Sequence, residues 1–138
     1  MLTPVDLTMD CADPDRLAAF WKAAVGYVDE PPPSPFSSRE EWLASFDEEP
    51  DGMGGAWLRH PSGVAPRLCL LQVPESKVAK NRLHLDLRVS GEGPAEVKWG
   101  RVLCEVQRLT VAGGTVLARF EGHHVVMADP EGNEFCVA

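Results

Sequence analysis

Two short stretches of the chain set chemically able side chains at every second position. In Leu83-His84-Leu85-Asp86-Leu87-Arg88-Val89 an imidazole, a carboxylate and a guanidinium alternate with aliphatic residues. In Val5-Asp6-Leu7-Thr8-Met9-Asp10-Cys11 two carboxylates and a hydroxyl do the same. A period of two marks a strand covered on one face. The apolar residues then pack, while Asp6, Thr8 and Asp10, like His84, Asp86 and Arg88, emerge together on the other side. A plain solvent face would carry such residues too. Two such faces in one chain also suit a shared concave surface on which a small ligand sits.

Other groups frame that surface. Lys77, Lys80 and Arg82 form a basic island ahead of His84, suited to a carboxylate or phosphate of a small ligand or to a solvated loop. Of the adjacent His123 and His124 only one can face the same side, and both read as surface or wall residues. No Gly-x-Ser-x-Gly elbow and no phosphate-cradling loop occurs; Gly52-Met53-Gly54-Gly55 lacks the Lys-Ser/Thr that would follow and reads as a loop or hairpin lead-in. Cys11, Cys69, Cys104 and Cys136 contain no Cys-x-x-Cys pair, which argues against a zinc ribbon or a redox motif.

The elements that would hold these faces can be read in order. After the first strand, Asp13-Pro14 supplies an N-cap and a first helical residue, Leu17, Phe20, Trp21 and Ala24 recur at helical spacing, and Gly26 stops the helix. Pro31-Pro32-Pro33-Ser34-Pro35 is a stiff connector. Ser37 and Ser38 stand in capping-box spacing with Glu40 and Glu41, ahead of a short helix with Trp42, Leu43 and Phe46. Residues 55–60 and 67–73 flank Pro61-Ser62-Gly63 as an antiparallel hairpin. The second half repeats the order: strand at 83–89, a helix through Ala95, Trp99, Leu103, Val106 and Leu109, then strands at 116–120, 124–128 and 133–137 around Gly122 and the turn Asp129-Pro130-Glu131-Gly132. Overlaid, Val5 to Asp10 corresponds to Leu83 to Arg88, and Leu70 to Val73 corresponds to Glu134 to Val137.

These motifs, namely the Asp13-Pro14 to Trp21 helix, Val73-Pro74-Glu75-Ser76-Lys77, Lys80 to Leu87 and Asp129 to Cys136, make the chain resemble the glyoxalase-like branch of the vicinal-oxygen-chelate superfamily, which spans glyoxalases, bleomycin resistance proteins and dioxygenases. The resemblance implies an α+β fold: two β-α-β-β-β modules, about 1–75 and 80–138 of a single domain, forming a cupped, mostly antiparallel sheet with helices outside. It also implies a divalent metal, Zn, Fe, Mn or Ni, held by one residue from the first and last strand of each module. Carried over, those positions are Asp6, Gln72, His84 and Cys136. His84 and Gln72 match the residue types of the family's metal enzymes, Asp6 is less usual, and Cys136 replaces a carboxylate. A thiolate there favours softer ions and is open to oxidation. Glu134, two residues before Cys136, shares its face and is placed to substitute as ligand or act as base.

Composition narrows the partners. At 138 residues, 44% apolar and 25% charged, the chain has the make-up of a globular domain. Thirteen basic against 21 acidic residues give −8, a field that repels nucleic acid and anionic lipid. No apolar stretch approaches the roughly 20 residues of a membrane span, and the first residues lack the pattern of an export signal, so a cytoplasmic protein is expected. The expected function is small-molecule binding in a cup between the modules by a metal-dependent lyase, isomerase or dioxygenase, working as a homodimer. In that reading His84, Gln72 and Asp6 hold the ion and Glu134 moves a proton. The alternative is a metal-free binding or sequestration protein of the antibiotic-resistance type, with Trp57, Trp42 and Phe36 as aromatic walls. Asp6, Gln72, His84, Asp86 and Trp57 are the ligand-facing candidates in either case.

Overall fold

Alternation builds the strands where the pattern lies. In a computed structural model that describes residues 1–46 and 54–138, β1 (Leu7–Cys11) turns Leu7, Met9 and Cys11 inward and leaves Thr8 and Asp10 exposed. β5 (Leu85–Leu87) does the same with Leu85 and Leu87 against Asp86, and is shorter than the alternating run that contains it. The acidic residues Asp47, Glu48, Glu49 and Asp51, and Gly52-Met53 of the glycine-rich stretch, lie outside the described residues.

Helix boundaries follow their caps. α1 (Pro14–Val25) starts where the Asp13 carboxylate accepts from Arg16 N at 3.0 Å and ends at Gly26, whose φ of 73° is a left-handed conformation that glycine adopts without strain. The short α2 (Arg39–Ala44) begins at an N-cap in which Ser38 accepts from Glu41 N, while the Glu41 carboxylate reaches back one residue further and accepts from Ser37 N and Oγ. β2 (Val28–Asp29) is a two-residue strand, too short to show any alternation. β3 (Gly55–Arg59) and β4 (Leu68–Gln72) form the expected hairpin, and α3 (Ala95–Val111), β6 (Thr115–Phe120), β7 (His124–Ala128) and β8 (Glu134–Val137) complete the chain.

The strands make two four-stranded sheets, ordered β1-β4-β3-β2 and β5-β8-β7-β6. Each has one parallel pairing, β1 with β4 or β5 with β8, and two antiparallel ones. Two β-α-β-β-β units are therefore present, with α2 added to the first. Helix α1 packs on β3 and β4, and α3 on β6, β7 and β8, so the apolar faces of both sheets point at helices.

One buried cluster serves both sheets. Phe20 and Trp21 of α1 meet Phe135 of β8 with ring centroids 5.3–5.7 Å apart, two of the three pairs edge-on. Trp21 Nε1 donates to the buried Asp129 carboxylate at 3.0 Å, which also accepts from Glu131 N and Asn133 N at 2.9 Å. A carboxylate so enclosed is tolerated because donors surround it, and it fixes the turn that launches β8. Among the described residues no helix is long and apolar enough to cross a membrane.

Candidate functional site

The second sheet carries its polar groups on the face turned away from the helices. Phe135 and Val137 of β8 and Val125 and Met127 of β7 are buried, so Glu134, Cys136, His124 and Val126 point the other way. The parallel ladder sets Asp86 opposite Cys136, with His84 two residues before Asp86 on the same side. His84, Asp86 and Cys136 each bring one donor atom within 4.8 Å of the others, the one such group of three His, Cys, Asp or Glu side chains among the described residues. His84 Nδ1 stands 3.5 Å from Asp86 Oδ1.

Local electrostatics tune two members of this face. Partial burial pushes the Cys136 thiol above its ordinary value, and the neighbouring Asp86 carboxylate adds to the rise. Glu134 moves the other way, because a hydrogen-bonded ion pair with Lys80 stabilises its charge, helped by Lys77 and His84. The backbone N–H of Glu134 also donates to Asn81 Oδ1 at 3.1 Å, so the segment before β5 is anchored to the start of β8. Beside this face opens a cleft of about 810 Å³, lined by Thr8 and Asp10 of β1 and by Lys77, Asn81, His84 and Glu134.

Three residues expected at the site stand elsewhere. Asp6 accepts from Arg67 Nη2 at 2.6 Å, and Arg67 Nη1 reaches Glu30 at 2.8 Å, so its carboxylate is held in an ion-pair chain and its pKa is lowered by that hydrogen bond. Gln72 is engaged at both ends, accepting from Gly54 N at 3.0 Å and donating to Ala12 O at 3.1 Å. The Trp57 ring meets Trp42 of α2 edge-on at 5.4 Å and lies under the Arg39 guanidinium, 4.5 Å from its centroid.

The ladders also correct the internal correspondence. β1 pairs Thr8 with Cys69, and β5 pairs Asp86 with Cys136. With Asp6 matched to His84, the counterpart of Cys136 is Cys69 and not Gln72; the overlay of the last strands slips by three residues. Parity alone fails to reveal this, because β4 reads Leu68-Cys69-Leu70-Leu71 with no polar residue to mark its open face. The closeness of Asp86 to both His84 and Cys136 was legible only in part: its two-residue spacing from His84 gave the shared face, but its pairing with Cys136 required the register.

Comparison with known proteins agrees with this architecture. A family model described as the glyoxalase-like domain matches residues 6–138. Among solved structures, the fosfomycin resistance protein FosX from Mesorhizobium loti superposes with a TM-score of 0.66 at 9% identity, over 99% of this chain and 90% of that one. The genomically encoded FosX from Listeria monocytogenes, complexed with Mn(II) and sulfate ion, gives 0.61 at 14% identity over 99% and 92%. A glyoxalase/bleomycin resistance protein/dioxygenase family enzyme from Burkholderia phytofirmans PsJN gives 0.60 at 16% identity over 96% and 97%. No curated protein matches the chain. With its paired β-α-β-β-β units and a family match over nearly its whole length, the chain belongs to the glyoxalase-like domain family.

Proposed function

We propose that the open face of the second sheet holds a divalent ion between His84, Asp86 and Cys136 and presents it to a small molecule in the adjoining cleft. The observation that carries this reading is the convergence of three donor atoms within 4.8 Å on one sheet face. An imidazole nitrogen, a carboxylate oxygen and a thiolate sulfur are a fitting set for zinc, and three protein ligands leave a position free for substrate. The ion would supply Lewis-acid polarisation of a substrate oxygen.

The chain's own groups have distinct tasks in this reading. Glu134, kept ionised by Lys80, is the proton acceptor in the wall of the cleft. Lys80 orients that carboxylate, and Asn81 fixes the strand that carries it. Cys136 must give up its proton to bind the ion, so affinity falls as pH is lowered. The reaction class is that of a lyase, isomerase or dioxygenase. Exposed Val5, Val78 and Leu83 are apolar surface that a two-fold homodimer would cover. Four cysteines without a disulfide suit a cytoplasmic setting.

Metal analysis of protein purified without chelator or affinity tag, with the His84→Ala variant beside it, tests the reading. Stoichiometric metal in the parent and none in the variant is the expected result. No stoichiometric metal, together with no gain in melting temperature on adding Zn, Mn, Fe or Ni, overturns it. That outcome would favour a metal-free binding protein. A thermal-shift screen of metabolites and antibiotics would then identify the ligand.

A further inference from the structure

On the same face as His84, Asp86 and Cys136, the side chains of Phe120 and His124 lie flat against each other. Their ring centroids are 4.6 Å apart and their planes 15° from parallel. They are cross-strand partners in the β6–β7 ladder, and the next open-face positions on those strands, Ala118 and Val126, line up with Cys136. From Cys136 to His124 is one strand across and two residues along, about 8 Å from the usual strand spacings. Buried Val125 fixes the side, since His124 must point opposite to it.

We infer that Phe120 and His124 form a platform for a planar aromatic ring of the small molecule whose other end lies at His84, Asp86 and Cys136; this rests on that open face being the ligand surface. A cross-strand aromatic pair alone would stabilise the hairpin. Two further observations point to a ligand. Phe120 remains 50% exposed, so its ring face is open to solvent beside His124. On the first sheet, by contrast, the open-face aromatic Trp57 is covered by Trp42 and Arg39 of α2, and among the described residues no helix does this for the second. A flat, uncovered ring pair whose His124 stands about 8 Å from Cys136 fits one molecule carrying an aromatic ring and an oxygen-bearing substituent, and fits a saturated ring poorly, because offset stacking needs a π face.

The test uses 2-naphthoate and its saturated counterpart decahydro-2-naphthoate, titrated into metal-free protein and followed by NMR. Binding of 2-naphthoate with ring-current shifts at the His124 ring protons, weakened about tenfold in Phe120→Leu and retained in Phe120→Tyr, is the expected result, with the saturated acid binding at least as weakly as in the variant. Equal binding of the two acids, an unchanged affinity in Phe120→Leu, or unmoved His124 protons overturns the inference. Zinc titration of the unliganded parent and of Phe120→Leu is read separately: affinity should be the same in both, and its absence in both would remove the metal while leaving the ring platform to stand on the naphthoate data.

Discussion

Position for position, the two sheets use one frame for opposite ends. On the first, the row that begins with Asp6 continues into Arg67, and a guanidinium ties Asp6 to Glu30. On the second, the matching row begins with His84 and continues into Glu134, and the next row sets Asp86 against Cys136. The first sheet's open face is then roofed, with Trp57 beneath Trp42 and Arg39. The second has no such roof among the described residues. Substitution at a few ladder positions thus decides whether a β-α-β-β-β unit neutralises its polar face internally or offers it to a ligand.

The largest effect should come from breaking what joins the two. Phe135 is buried against Phe20 and Trp21 of the first unit's helix, so Phe135→Ala should cost about 3–5 kcal/mol. Calorimetry should show one transition at lower temperature. Two separate transitions would mean that the sheets are independent bodies and that the comparison is between two domains.

Next comes the asymmetry of ion binding. His84→Ala should weaken zinc binding at least about 100-fold, a loss of about 2.8 kcal/mol at 1.4 kcal/mol per decade, measured by competition with a chromophoric chelator. Asp6→Ala, the matching change on the first sheet, should leave zinc affinity within about twofold. Equal losses would place both residues at one centre and abolish the contrast.

The roof itself is a third test. Removing the half-buried indole with Trp57→Ala exposes the face of Trp42 and deprives Arg39 of one of its two rings, so about 2 kcal/mol of stability should be lost in urea unfolding, with zinc binding unchanged.

The smallest effect concerns the Arg67 chain. Its hydrogen bond to Asp6 holds that carboxylate below the ordinary Asp value of about 3.9, and a depressed folded pKa contributes stability that is present above 3.9 and lost as pH falls through the folded value. In Arg67→Met the Asp6 carboxyl should titrate higher by carboxyl-detected NMR, and acid unfolding should begin at slightly higher pH. An unmoved Asp6 titration would show that the ion pair does not persist in solution.

The sequence made much of this frame readable because its signals are local. Asp13-Pro14 with Gly26 bounds α1, Ser38 with Glu41 starts α2, and alternation in Leu83 to Val89 sends His84 and Asp86 to one face. What stayed hidden depends on register and on long-range pairing. β4 is apolar on both sides, so only its ladder with β1 reveals that Cys69 answers to Cys136. Two residues of β2 carry no period. Lys80 reaches Glu134 across 54 positions, and Arg67 reaches Asp6 across 61, separations at which no spacing rule operates. The resemblance put His84 and Cys136 at a metal site; the fold puts Asp86 beside them and gives Gln72 hydrogen bonds to Gly54 and Ala12.

One measurement bears on the contrast between the sheets most directly: a zinc titration of the isotope-labelled, tag-free protein followed residue by residue in amide and imidazole NMR spectra. Shifts saturating at one equivalent and centred on His84, Asp86 and Cys136, with the ladder neighbour Val126 next, are the expected result. Shifts centred on Asp6 and Cys69, or no saturable shift at all, would contradict the assignment of chemistry to the second sheet.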